Sequence, residues 1–168
     1  MAQKYSSANT SMNKNKIPVL FTKVKKHFGW KQWETNLDIG GGSYDNVTKW
    51  LDAIDTVNWI YDPYNRPKEW NEQVFIRLLM EEGSHTATLS NVLNVIENKE
   101  NRLEILNFAY KYLKPDGICY ITCYNSGKKG ISKKDCYQVA EPLSFYLKEV
   151  LEVFEHAEIK YGMIVAYK

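Results

Sequence analysis

The chain has 168 residues, of which 44% are hydrophobic, 14% aromatic and 25% charged, with a formal net charge of +2. That length allows one domain with one core and excludes two, and the aromatic content excludes disorder over most of it. A net charge this small excludes a molecule that is basic all over, so any preference for an anionic partner has to be local.

Residues 1–16, MAQKYSSANTSMNKNK, are small and polar and read as a flexible arm, with Tyr5 the one residue able to dock as part of a lid; residues 17–168 form the single domain. Ile17, Leu20, Phe21, Val24 and Phe28 follow helical spacing and Gly29 stops the run. A strand is predicted over 35–39, then the glycines, then a helix over 45–54 with Val47, Trp50, Leu51 and Ile54 on one face. A second strand over 57–61 ends at Asp62-Pro63, and a helix over 69–82 stops at Gly83. A third strand over 86–89 leads into Ser90-Asn91-Val92-Leu93-Asn94-Val95-Ile96; a helix over 99–113 is broken by Lys114-Pro115-Asp116-Gly117. The apolar run 118–124 reads as a strand buried on both faces, followed by a basic loop, a helix over 142–154, and a closing strand pair over 157–160 and 163–167. The alternation predicts an α/β fold with a doubly wound, mostly parallel sheet and an antiparallel strand at its end; ligands in such sheets bind at the carboxyl ends of the strands.

Cys119, Cys123 and Cys136 are odd in number, lack paired ligand spacing and have no neighbouring His in sequence, so they read as buried thiols and no metal is expected. No apolar run approaches membrane-spanning length and the N-terminus has no signal-peptide core, so a soluble cytoplasmic protein with no membrane partner is expected.

The most informative stretch is Asn36-Leu37-Asp38-Ile39-Gly40-Gly41-Gly42-Ser43-Tyr44-Asp45. A dinucleotide turn wants a third glycine where this chain has Asp45, and a phosphate-cradling loop wants Lys-Ser or Lys-Thr after the glycines. Neither is present. A cationic or zwitterionic ligand fits better: Asp38 can pair with an ammonium while Gly40 and Gly42 let backbone approach without a Cβ. About twenty residues on, Asp62 ends the second strand, a spacing suited to accepting both hydroxyls of a ribose. An ammonium, a ribose and no phosphate describe S-adenosylmethionine.

On Leu37-Asp38-Ile39-Gly40-Gly41-Gly42-Ser43, on Asp62, on Ser90 to Ile96 and on Leu113-Lys114-Pro115-Asp116-Gly117, the chain resembles the class I S-adenosylmethionine-dependent methyltransferases. These stretches span about residues 35–124 and match the family in order and spacing; Val92 to Ile96 is also similar to a subgroup of uncharacterised microbial and phage methyltransferases. The resemblance implies a Rossmann-like sheet, S-adenosylmethionine as cofactor, and Gly40, Gly41, Gly42, Ser43, Asp38 and Asp62 around it. One departure stands out. Between Asp62 and Thr86 there is room for a single helix, so the sheet is expected to lack one edge strand of the family, leaving the adenine to Tyr61, Pro63, Tyr64, Ser84 and His85.

For the acceptor side, Asn91 and Asn94 are the candidate catalytic residues, Asn91 also touching cofactor, with Asn94 equally readable as a turn cap. Tyr124 and Asn125 face the acceptor. The basic loop 127–134, with Lys128, Lys129, Lys133 and Lys134, would hold nucleic-acid phosphate and Tyr137 would stack on a base, although short lysine runs are usually only solvated. Asp62-Pro63-Tyr64 has the look of a base-amino-methylating stretch, but it follows the wrong strand for that chemistry. The expected function is methyl transfer to an N or O acceptor; the alternative is a non-catalytic S-adenosylmethionine-binding regulatory or interaction protein, and an NAD-dependent oxidoreductase is disfavoured by Asp45.

Overall fold

A computed structural model of the protein describes residues 14–125, 128–131 and 136–168. The chain runs α1 (Val19–His27), β1 (Thr35–Ile39), α2 (Asn46–Asp52), β2 (Val57–Tyr61), α3 (Lys68–Met80) and β3 (Ser84–Ser90), then a single 3-10 turn (Leu93–Val95) and α4 (Lys99–Tyr112). It continues with β4 (Leu113–Thr122), β5 (Gly130–Ile131), β6 (Tyr137–Gln138), α5 (Leu143–Val150), β7 (His156–Lys160) and β8 (Met163–Tyr167).

Among the described residues, six strands form one sheet in the order β2-β1-β3-β4-β8-β7. The first four are mutually parallel, β8 runs antiparallel to β4, and β7 antiparallel to β8. The sheet ends at β2 because α3 carries the chain from β2 across β1 directly to β3, so the expected missing edge strand is observed. Parallel alignment also collects Gly40, Asp62, Asn91 and Cys123, the residues after β1, β2, β3 and β4, at one edge of the sheet.

Side chains alternate across the strands with period two. Leu37, Ile39, Trp59, Ala87, Leu89, Cys119, Ile121, Ile164 and Ala166 face α3, α4 and α5, where Val74, Leu78, Ile105, Leu106, Tyr146 and Val150 complete the larger core. On the other face Tyr120, Met163 and Val165 meet Leu20, Phe21 and Val24 of α1 and Val47 and Leu51 of α2. There the β1–β3 part of the sheet is polar, with Asn36, Asp38, Asn58 and Thr88 all buried. Cys119 and Cys136 are buried and Cys123 half-buried, and burial pushes the thiols of Cys119 and Cys123 up.

Three boundaries differ from the sequence reading. β4 starts at Leu113, immediately after α4; Lys114 to Gly117 pass through the strand as an irregularity, with a register shift against β3 between Ser84 and Thr86 and Asp116 at φ +63°. The helix expected over 142–154 is regular only to Val150. Part of the expected basic loop pairs as a two-stranded antiparallel ribbon, Gly130 with Gln138 and Ile131 with Tyr137. Lys133, Lys134 and the arm residues up to Asn13, Tyr5 among them, lie outside the described residues. No helix among the described residues is long and apolar enough to cross a membrane.

Candidate functional site at the carboxyl edge of the sheet

The glycine turn leaves β1 with Gly40 at φ +71° and Gly42 at φ +78°, a backbone region that L side chains rarely adopt. It is also packed from below. A Cβ on Gly40 would lie 2.7 Å from Val92 Cγ2, so the turn rests on the stretch that follows β3. A Cβ on Gly41 would meet the Asp38 carboxyl, 2.8 Å from its Cγ, and Ile60 Cγ2 at 2.9 Å. Gly40 and Ser43 are exposed, Gly41 is half-buried and Gly42 is buried, so the turn presents outward the backbone of Gly40 beside the Ser43 side chain.

Asp38 sits behind this turn, only 1% exposed. Its Oδ1 accepts the Thr88 hydroxyl at 3.2 Å, and Thr88 Oγ1 accepts the Asn36 amide at 3.0 Å. Asn36 also donates to Asn58 at 2.7 Å, and Thr86 Oγ1 donates to Asn36 Oδ1 at 2.9 Å. Burial drives the Asp38 carboxyl up to about 7; the charge of Asp62 adds to this, while hydrogen bonds from Thr88 and Asn58 and the charge of Arg66 oppose it. Against an ordinary value of 3.8, folded Asp38 holds a proton that the unfolded chain has lost. Its contribution is therefore complete below that ordinary value and disappears as pH rises to about 7, a change on the order of 4 kcal/mol. Asp38→Asn is expected to remove this slope, matching the parent near about pH 3, where Asp38 is protonated folded and unfolded alike, and exceeding its stability near about pH 8 in urea unfolding. A difference between the two proteins that is the same at both pH values would mean that the fold does not hold the proton on Asp38.

Asp62, 2% exposed, is the keystone of the next turn. Its Oδ1 accepts the N–H groups of Tyr64 and Asn65, both at 3.0 Å. Its Oδ2 accepts the Gly42 N–H and the Asn65 side-chain amide, both at 2.9 Å. Four donors fill the lone pairs of one carboxylate. Three of the four are backbone; the Asn65 amide is the one that a ligand can displace by rotating a side chain.

Two residues beside this turn, Arg66 and Asn71, carry no motif in the sequence and yet hold it together. Arg66, its side chain 7% exposed, donates Nε to the Gly42 carbonyl at 2.7 Å and Nη2 to Asp45 at 2.8 Å, and lies 4.8 Å over the Trp70 ring. Asp45, which takes the place of a dinucleotide glycine, is thus neutralised by Arg66. Asn71 accepts the Asp62 N–H at 2.9 Å and donates to the carbonyls of Asp62, Arg66 and Pro67. The glycine turn and the turn after β2 are therefore one bonded unit. The nearest sequence signal is Asn65 three residues after Asp62, the spacing of a side-chain-capped turn.

The remaining candidates separate. Asn91 lies at this edge, exposed, at φ +59°, its N–H bonded to the Thr122 carbonyl at 2.8 Å. Pro63, Tyr64, Tyr124, Asn125, Lys128 and Lys129 are exposed. Tyr61 is half-buried, its ring stacked on Phe108 at 4.7 Å.

His85 and Ser84 are corrected. They open β3, at the amino edge of the sheet, where His85 Nδ1 accepts the Thr35 N–H at 3.0 Å and burial, then Lys114, lowers its pKa. Five residues of strand, about 16 Å, separate His85 from the site. Tyr137 is corrected too: at 8% exposure it belongs to the main core and offers no face to a base. Asn94 is buried under β6, its side-chain amide donating to Gln138 Oε1 at 3.1 Å and its backbone carbonyl accepting the Val139 N–H at 2.8 Å; these bonds tie the 3-10 turn to β6, and the side chain caps neither that turn nor α4.

No protein-family model and no curated protein sequence matches the chain. Solved structures do. The chain is similar to 1,6-didemethyltoxoflavin-N1-methyltransferase of Burkholderia thailandensis, solved with 1,6-didemethyltoxoflavin and S-adenosylhomocysteine bound, with a TM-score of 0.58 at 16% identity, over 88% of this chain and 75% of that one. A TehB-like SAM-dependent methyltransferase of Corynebacterium glutamicum matches with a TM-score of 0.57 at 14% identity, over 95% of this chain and 90% of that one. Phosphoethanolamine N-methyltransferase 2 of Haemonchus contortus, in complex with S-adenosyl-L-methionine, matches with a TM-score of 0.55 at 14% identity, over 82% of this chain but only 37% of that one. With its glycine turn after β1, its four parallel strands and its antiparallel β8 and β7, the chain has the fold of the class I S-adenosylmethionine-dependent methyltransferases.

Proposed function

We propose that the chain is an S-adenosylmethionine-dependent methyltransferase acting on an N or O acceptor. The observation that carries this reading is the glycine turn: backbone exposed at Gly40 and Ser43 and packed inward at Gly42, held in shape by Val92 beneath and by Asp62 and Arg66 beside it, at the carboxyl edge of this fold. It fits the methionine end of the cofactor, which needs close backbone and no phosphate cradle. Gly40 to Ser43 would hold that end, Asp62 the ribose once the Asn65 amide turns away, and Pro63 and Tyr64 the adenine. Asp38 would act through the turn rather than by touching the ammonium. The bound cofactor supplies an already activated methyl group, so Asn91, Tyr124 and Asn125 have only to align the acceptor and keep water out.

Two observations favour the second reading, a non-catalytic S-adenosylmethionine binder: both acids are engaged by the protein's own donors, and among the described residues β2 has no further strand beside it. Calorimetry with S-adenosylmethionine and S-adenosylhomocysteine, followed by transfer of labelled methyl to nucleic-acid, protein and small-molecule pools, separates the two. Asp62→Ala is expected to weaken binding at least about tenfold, by loss of the ribose acceptor and of the turn it ties. Asn65→Ala, which only frees Oδ2, should bind as tightly as the parent or more so. Absence of binding to the parent protein would sink both readings, and binding without any transfer would leave the second.

A further inference from the structure

Charge is divided unevenly along this chain. Residues 1–50 hold eight lysines against three acids, and residues 51–168 hold fourteen cations against seventeen acids. The acids of the first part are spent: Asp38 is buried, Glu34 pairs with Lys31 at 3.4 Å, and Asp45 pairs with Arg66 at 2.8 Å. The lysines mostly are not. On α1 the exposed residues Val19, Thr22, Lys25 and Lys26 recur at helical spacing as one stripe. Lys25 Nζ lies 5.1 Å over the Trp50 ring of α2, which brings that stripe beside the exposed Lys49. The Asn46 amide, in the first turn of α2, holds the Lys14 carbonyl at 2.7 Å, and Lys14 and Lys16 are both exposed. The one exposed acid on these two helices is Asp52, at the far end of α2.

We infer that the α1–α2 face, through Lys14, Lys16, Lys25, Lys26 and Lys49, docks the phosphate backbone of a nucleic-acid strand and leads it to the mouth of the glycine turn. Cations on two helices and on the segment before them form a strip suited to a polyanion, not a single point for one phosphate. A bilayer is the poorer partner, because Leu20, Phe21 and Val24, the apolar side of α1, are fully buried and leave no face to insert. The strip ends at Asn46, four residues past Gly42, so a bound strand passes the edge where Asn91, Tyr124 and Asn125 stand. That this strand is also the methyl acceptor rests on the proposed function; docking does not, and it is measured without cofactor.

The test is fluorescence polarisation of the full chain with labelled single-stranded DNA and RNA of about 20 nucleotides, from about 50 to about 200 mM salt. Binding is expected, with a slope of log affinity against log salt of about −3, as four or five phosphate contacts give. The triple variant Lys25→Gln, Lys26→Gln, Lys49→Gln should keep the parent's thermal midpoint, bind at least about tenfold more weakly at the lower salt and lose about two units of slope. Lys128→Gln with Lys129→Gln should change affinity less than about threefold. The inference is overturned if the triple variant binds like the parent, if only the Lys128 and Lys129 variant loses binding, if phosphatidylserine vesicles bind and oligonucleotides do not, or if nothing binds. A chain that docks oligonucleotide through this strip but transfers no methyl keeps this inference and removes the other.

Discussion

Arg102→Met is expected to destabilise the protein by about 3 to 5 kcal/mol, lowering its thermal midpoint by about 10 °C. Arg102 enters the core from the first turn of α4 and meets Glu149 of α5 in a two-pronged pair, Nε to Oε2 at 2.8 Å and Nη2 to Oε1 at 2.6 Å. The two side chains are 4% and 5% exposed, so removing the guanidinium strands a carboxylate where water cannot reach it. Nη1 is occupied as well, donating to the carbonyls of Ile96 at 2.7 Å and Glu97 at 2.8 Å. The pair thus ties the segment after the 3-10 turn to α5, and through that segment fixes Val92, on which Gly40 rests. Replacing both partners, Arg102→Met with Glu149→Leu, should bring stability back to within about 2 kcal/mol of the parent, because an apolar pair of similar volume carries no desolvation penalty. The remaining deficit is the two carbonyls left without Nη1. Urea unfolding of the two single variants and the double variant gives the coupling directly; a cost below about 1 kcal/mol for Arg102→Met would mean that the pair is hydrated.

The mostly parallel sheet and its shortening were legible because they depend on chain length and alternation: the interval from Asp62 to Thr86 holds one helix, and one helix takes the chain from β2 to β3. Glycines were legible for the same kind of reason, since the left-handed φ of Gly40 and Gly42 leaves little choice of residue. What was not legible was which way the acids turn. Asp38 and Asp62 flank a bare turn and look like ligand groups, yet the donors nearest to each belong to the protein, and for Asp62 they come mostly from within three residues. Asn71 was invisible because its partners are backbone atoms, which carry no residue signature, and Arg66 because the Asp45 it pairs with lies 21 residues away in the chain. His85 was misplaced by adjacency to a strand without regard to which end of it faces the ligand edge. Tyr137 next to a lysine-rich loop looked solvated, but the β5–β6 ribbon folds it onto the core. Composition did point to the thiols: Cys119 lies within an apolar run and packs there.

Gly40→Ala and Gly41→Ala are expected to cost about 2 to 4 kcal/mol each, for different reasons. At Gly40 the methyl group meets a backbone at φ +71°, worth about 1 to 2 kcal/mol in an L residue, and a Val92 methyl 2.7 Å away. Adding Val92→Ala should recover the packing part and leave the backbone part. At Gly41 the obstruction is the Asp38 carboxyl and Ile60, 1% and 0% exposed, neither of which has space to move into. The turn itself must then lift, and lifting it breaks the Gly42 bonds to Asp62 and Arg66. Affinity for S-adenosylhomocysteine should therefore fall at least about tenfold in both variants, measured well below their thermal midpoints, and should stay low in Gly40→Ala with Val92→Ala even though that protein has regained the packing part of its stability. Recovery of affinity together with stability would show that the turn merely supports the sheet. Affinity that stays lost in a stable protein would locate the ligand on the turn's own backbone.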